Sequence, residues 1–89
     1  MQIERDGNGD FILEPEEIAG RFGLSVAEFR RNQTLGHVTS TVERGEGEHA
    51  GTSRLTLRIG NRIWRAILDD TGAVLSEESH IARGAPVRR

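Results

Sequence analysis

Cysteine, lysine and long apolar runs are missing from this sequence, and the first and last of these absences each remove a class of function. Without cysteine the chain has no disulfide, no thiolate nucleophile and no zinc site with cysteine ligands. Its apolar runs are only a few residues long, which is too short to span a membrane. The N-terminus lacks the basic and apolar regions of a secretory signal. We therefore expect a cytoplasmic protein that has no membrane partner.

Because lysine is missing, the twelve basic residues are all arginines, and they are unevenly distributed. Residues 1–50 contain five arginines and ten acidic residues, whereas residues 51–89 contain seven arginines and four acidic residues. Arginine suits phosphate and carboxylate recognition because its planar guanidinium donates two hydrogen bonds at once. Codon bias in a GC-rich genome explains the same composition more simply, so the arginine content alone indicates no ligand.

The pattern of apolar residues predicts a single α+β domain. We expect an N-terminal β-hairpin, two short helices, and then a three- to four-stranded antiparallel meander packed against the helices. A chain of 89 residues has room for one hydrophobic core. Residues 1–82 would form the domain, and residues 83–89 would form a flexible C-terminal tail.

The predicted hairpin rests on a cluster of turn-forming residues near the N-terminus. Residues 6–10 are glycine, asparagine and aspartate, which accept positive φ angles or bond to their own backbone. The flanking residues 2–5 and 11–14 contain β-type runs. Two short strands joined by this turn are therefore expected.

The two predicted helices have clear start and stop signals. Pro15 suits the first helical turn, and Gly23 is a natural stop. Ser25 and Glu28 have the spacing of a capping box, in which each side chain bonds to the other residue's amide. The second helix is expected to end near Leu35.

From residue 37 onward the apolar residues alternate with a period of two, which is typical of strands. Gly60-Asn61 is a two-residue hairpin connection between strands at 54–59 and 62–68. A turn at 69–72 leads into a last strand at 73–76. The hairpin register predicts that one face carries the core residues Leu55, Leu57, Trp64, Ala66 and Leu68.

Several short stretches resemble a family of small bacterial proteins known only as a domain of unknown function. The resemblance covers residues 2 to about 82 and implies a single domain without an assigned activity. The residues that carry it are Phe22-Gly23-Leu24-Ser25, Gly36-His37-Val38-Thr39-Ser40, Glu43-Arg44-Gly45-Glu46-Gly47-Glu48, Ala50-Gly51, Arg54-Leu55-Thr56-Leu57 and Asp69-Asp70-Thr71-Gly72.

Residues 16–35 follow the layout of a helix-turn-helix, which makes DNA a candidate partner. Gly23 would turn the chain, and Phe29 would anchor the second helix. Acidic residues in and around this unit oppose DNA binding, because affinity for duplexes depends on neutralising phosphates. The residues that would contact DNA are Arg30, Arg31, Asn32 and Gln33.

Residues 6–17 resemble a degenerate EF-hand loop, which makes calcium a second candidate ligand. The sixth position, where the motif needs glycine, is Phe11, and no second loop is present to pair with this one. A turn followed by a helix explains the same residues without a metal. The side-chain ligands would be Asp6, Asn8, Asp10 and Glu17.

The sheet face opposite the predicted core mixes arginine with isoleucine, a combination that is common at protein interfaces. Edge strands of the meander also offer pairing to another copy, so a homodimer is a natural possibility. The residues expected at such an interface are Arg54, Arg58, Ile63 and Arg65.

No nucleophile, histidine cluster or phosphate-binding loop has the spacing that catalysis or a cofactor needs. We therefore expect a non-enzymatic interaction domain without a cofactor. An unidentified protein, or a second copy of the chain, is the leading partner. DNA is the second hypothesis, and weak calcium binding is the third.

Overall fold

Two short helices precede a four-stranded antiparallel sheet in the computed structural model, which describes residues 2–8 and 10–81. The α+β class predicted from the sequence is confirmed. The strands are joined in sequence order, β1-β2-β3-β4. The helices are α1 (Pro15–Ile18), which continues as a 3₁₀ helix (Ala19–Phe22), and α2 (Val26–Thr34). The strands are β1 (Val38–Arg44), β2 (Ser53–Ile59), β3 (Arg62–Leu68) and β4 (Val74–Ile81).

Both helices begin and end at the predicted signals. Pro15 opens α1, and Gly23 ends the 3₁₀ helix with a left-handed φ of 69°. The capping box is present, because the Glu28 amide donates to Ser25 Oγ at 3.1 Å and the Ser25 amide donates to Glu28 Oε1 at 2.9 Å. The tighter 3₁₀ turn brings Ala19 and Phe22, three residues apart, to the same buried side.

The hydrophobic core lies between the helices and the inner face of β2 and β3. The Gly60-Asn61 connection sets the predicted register, in which Leu57 pairs with Trp64 and Leu55 with Ala66. Trp64 is fully buried, which confirms the prediction that it points inward. The buried apolar residues are Ile3, Ile18, Ala19, Phe22, Phe29, Leu55, Leu57, Trp64, Ala66 and Leu68.

The indole N–H of Trp64 has a partner on the neighbouring strand. It donates to Glu77 Oε1 at 2.9 Å, and the same carboxylate oxygen accepts a bond from Arg21 Nε at 3.1 Å. Glu77 thereby links β4, the central tryptophan and the 3₁₀ helix. These hydrogen bonds, first from Arg21 and then from Trp64, hold the pKa of Glu77 below its ordinary value.

The predicted N-terminal hairpin is matched only in part. The segment forms a single bridge, between Arg5 and Phe11, instead of two strands. Asp6 Oδ1 accepts the amides of Asn8 and Asp10 at 2.8 and 3.0 Å, so the side chain closes the turn locally. The start of the segment then turns away to the β3–β4 connection, where the Ile3 amide donates to the Gly72 carbonyl at 2.8 Å.

The last strand is longer than the sequence predicted, since β4 continues past Ser76 to Ile81. A register shift between Ile67 and Leu68 keeps its pairing with β3 intact. The proposed tail at 83–89 lies outside the described residues. Within residues 2–8 and 10–81, neither helix has the length and apolar content needed to cross a membrane.

Replacement of Gly72 by alanine is expected to destabilise the fold. A Cβ atom there would overlap the Ile3 carbonyl oxygen, and the φ of 91° is unfavourable for any side chain. Gly36→Ala is the matched control, because its φ of 76° is also left-handed but its surroundings are open. In urea unfolding, Gly72→Ala should lose roughly 1–3 kcal/mol more than the control. Equal losses would show that the close approach to Ile3 is unimportant.

Loss of Glu77 is expected to destabilise the fold in a pH-dependent way. Glu77→Ala should cost about 1–3 kcal/mol at pH 7, because it leaves the buried Trp64 N–H unpaired. Glu77→Gln should also lower the free energy of unfolding at pH 7. Because the folded pKa of Glu77 lies below 4.5, the wild-type advantage is complete above that pH and disappears as the pH falls through the folded pKa.

Fluorescence of the single tryptophan can follow unfolding in both variants. Glu78→Gln, at the adjacent exposed position, is the control and should show little change, since exposed ion pairs contribute little. A Glu77→Gln loss that stays constant from pH 7 to about pH 3 would contradict the proposed charge interaction.

Candidate binding surface

The side of the sheet that points away from the helices forms one continuous surface, which we call the outer face. Its residues are exposed or half-buried, in contrast to the fully buried inner residues of β2 and β3. It contains all four residues predicted for an interface: Arg54, Arg58, Ile63 and Arg65. The full set is Thr39, Thr41, Glu43, Arg54, Thr56, Arg58, Ile63, Arg65, Ile67, Ser76, Glu78 and His80.

The arginines of the outer face are held by neighbouring groups. Arg54 forms an ion pair with Glu43 across β1 and β2, with Nε 2.7 Å from Oε1. Arg58 Nε donates to the Gly60 carbonyl at 2.7 Å. Arg65 Nε donates to the Thr56 hydroxyl at 3.4 Å. These contacts already restrict the guanidinium groups, so less side-chain entropy would be lost when a partner binds to them.

The residues predicted to contact DNA all lie in α2, but two of them already have partners within the domain. Arg30 Nη2 lies 3.3 Å from a carboxylate oxygen of Glu16. Asn32 is half-buried and donates to the Glu28 carbonyl at 2.8 Å. Arg31 and Gln33 are exposed. The described surface around α2 therefore offers little uncompensated positive charge to a phosphate backbone.

The predicted calcium ligands are divided between two parts of the surface. Asp6 uses Oδ1 to accept the two amides that close its own turn. Asn8 and Asp10 border a groove next to β1, whereas Glu17 borders a separate groove formed with Glu4 and Glu14. Among the described residues, no three aspartate, glutamate or histidine side chains are grouped closely enough to hold a metal ion.

Within the described residues, three carboxyl groups have lowered pKa values, and each has a structural cause. The pKa of Glu28 is lowered by the hydrogen bonds of the capping box. Bonds from Thr71, Ala73 and the rest of its turn lower the pKa of Asp69. Glu77 is held by Arg21 and Trp64. The hydrogen bonds that lower these pKa values stabilise a helix cap, a turn and the core, respectively. None of the three carboxylates lies on the outer face.

The contributions of the two edge strands to the outer face were not predicted from the sequence. Glu43 on β1 and Glu78 on β4 place acidic groups beside the arginines of the central strands. The alternation of Thr39, Thr41 and Glu43 was the available signal on β1. No such signal identified β4, because its register depends on the irregularity near Leu68.

Comparison with known families gives one match. The model of a family of unknown function (DUF6522) matches residues 1–87, nearly the whole chain. The chain belongs to this family. No curated protein and no solved structure matches the chain. Membership of the family confirms the resemblance seen in the sequence and assigns no activity, so the function has to be argued from the surface itself.

Addition of calcium is expected to leave the domain unchanged, because its four predicted ligands are not assembled. A ¹H–¹⁵N spectrum recorded in EDTA should match one recorded with calcium at about 1 mM, a concentration that would occupy even weak extracellular-type sites. Saturable shifts confined to residues 6–17, and lost in Glu17→Ala, would contradict this prediction. They would establish calcium binding by the N-terminal loop.

Proposed function

We propose that this protein is a small non-enzymatic interaction domain, and that its outer face binds a second copy of the same chain. The observation that carries the proposal is the arrangement of arginine and isoleucine on β2 and β3. This arrangement makes the outer face complementary to itself. Homodimers with a two-fold axis are the commonest assemblies of soluble proteins.

The strand register sorts the outer face into three rows that run across the sheet. Each row contains one residue from each strand, in the order β1, β2, β3 and β4. The rows are Glu43-Arg54-Ile67-Ser76, then Thr41-Thr56-Arg65-Glu78, then Thr39-Arg58-Ile63-His80. In the first and third rows an arginine on β2 therefore stands beside an isoleucine on β3.

A two-fold axis parallel to the strands would place β2 of one copy over β3 of the other without exchanging the rows. Arg54 would then face Ile67 of the second copy, and Arg58 would face Ile63. Arginine side chains can cover apolar surface with their aliphatic stems while the charged ends reach the rim. Thr56 would face Arg65, so no arginine of the central strands meets another arginine.

The alternative two-fold axis, perpendicular to the strands, is much less favourable. It would place Arg65 against its own symmetry copy, and Arg54 against Arg58. Like charges brought together at an interface oppose association. Both axes keep the strands of the two sheets aligned, so the charges decide between them.

Existing contacts within the outer face support this arrangement. Arg54 brings its own counter-ion, Glu43, and Arg58 and Arg65 each donate to an oxygen of the same chain. Burial of a charge is costly unless the charge is paired and hydrogen-bonded. These internal partners reduce that cost, and arginine is among the residues enriched at protein interfaces.

Reversal of one charge on the outer face tests the proposal. By light scattering, the wild-type mass should rise from 9.9 kDa toward twice that value as the concentration is raised. Arg58→Glu should weaken association about tenfold or more, because it removes the arginine stem and places a carboxylate against isoleucine. Arg31→Glu, an exposed arginine on α2, makes the same change of charge away from the outer face and should dimerise normally.

Circular dichroism and thermal melting should show that both variants remain folded. If the measured mass stays that of a monomer at every concentration up to about 1 mM, the proposal is overturned. A dissociation constant above that value corresponds to less than about 4 kcal/mol of binding free energy. A dimer that persists unchanged in Arg58→Glu would also overturn it and would indicate pairing through the edges of β1 or β4.

A further inference from the structure

A groove lies between the N-terminal segment and β1, on the inner side of the sheet, away from the outer face. Its volume is about 410 Å³. We call it the N-terminal groove. Binding sites for small molecules usually have volumes of about 300–1,000 Å³ and combine apolar walls with a few polar groups. The residues that matter most in it are Arg5, Phe11, Leu13, Val42, Arg44 and Ser53.

The groove exists because the helices cover only the central part of the inner face. Leu55 on β2 is 1% exposed, whereas its pairing partner Val42 on β1 is 48% exposed. Leu13, half-buried, packs against the core from the N-terminal side. Leu13, Val42 and Leu55 therefore provide the groove with an apolar wall that is open to solvent.

Two arginines provide the charge of the groove. Arg44 pairs in register with Ser53, a polar residue that is only 6% exposed. Arg5 lies over the ring of Phe11, with the guanidinium carbon 4.6 Å from the ring centre. In residues 2–8 and 10–81 neither arginine forms an ion pair with an acidic side chain. Asp10 is the single acidic residue of the lining, so positive charge predominates.

We propose that the N-terminal groove binds a small amphipathic carboxylate. The carboxylate would accept hydrogen bonds from Arg44 and Arg5, and its short apolar chain would lie against the apolar wall. Arginine forms its strongest hydrogen bonds with carboxylates and phosphates, because the planar guanidinium matches two anionic oxygens. Ser53, the register partner of Arg44, also lines the groove and would provide a further polar contact.

This proposal is independent of the dimer, because the two surfaces lie on opposite sides of the sheet. The residues of the groove wall come from the inner row positions of β1 and β2, whereas Arg58 and Ile63 lie on the outer face. A substitution in one surface should therefore leave the other unchanged, so failure of the dimer proposal and failure of the groove proposal can be distinguished.

Titration of the intact protein with octanoate tests the inference by ¹H–¹⁵N correlation spectra. The shifts should saturate and should concentrate at residues 10–13, 40–44 and 53. Octylammonium, which has the same apolar chain and the opposite charge, should not produce them. Arg44→Gln should weaken octanoate binding about tenfold, as expected for the loss of a hydrogen bond to a charged group.

Arg31→Gln, the same substitution at an exposed position on α2, is the control and should bind octanoate with wild-type affinity. Arg5→Gln gives a second test, should Arg44→Gln alter the spectrum of the unliganded protein. Equal affinity in the wild type and both groove variants would overturn the proposal. So would equal binding of octanoate and octylammonium, or the absence of saturable shifts up to about 10 mM octanoate.

Discussion

The hydrogen bond from the Trp64 indole to Glu77 is the interaction on which the rest of the domain depends. Trp64 fills the centre of a small core, and its N–H would be costly to bury without an acceptor. Glu77 meets that need from β4 and also binds Arg21. One carboxylate thus connects the last strand, the central strand and the 3₁₀ helix, and a chain without disulfides gains a fixed geometry.

The helical layer covers only one side of the sheet, and covers it incompletely, which leaves the domain with two candidate binding surfaces. The two helices lie over the inner sides of β2 and β3 and leave Ser40, Val42 and Arg44 on the inner side of β1 exposed. The open part becomes the N-terminal groove. No residue of the outer face belongs to the hydrophobic core, so its arginines and isoleucines are available for contacts with another molecule. The N-terminal groove follows from how little area two short helices can cover, whereas the outer face is exposed because both helices lie on the other side of the sheet.

Local signals allowed much of the fold to be predicted from the sequence, whereas contacts distant in sequence could not be. The capping box of Ser25 and Glu28 and the Gly60-Asn61 turn depend on neighbouring residues, and both are present. The inward position of Trp64 followed from that turn. The partner of its indole, Glu77, could not be predicted in this way, because the predicted last strand ends one residue earlier, at Ser76. Arg5 and Arg44 line the same groove from separate parts of the chain, and no periodicity in the sequence indicates that they do.

The contact between the N-terminal segment and the β3–β4 turn has a consequence for the order of folding. Each strand of the meander pairs with its neighbour in sequence, so the sheet can grow by closing short loops. The bond from the Gln2 side chain to the Thr71 carbonyl instead joins residues 69 positions apart. Closure of so long a loop costs more chain entropy before any contact rewards it. We therefore expect the sheet to form first and the N-terminal segment to dock last, in the step that completes the core around Ile3.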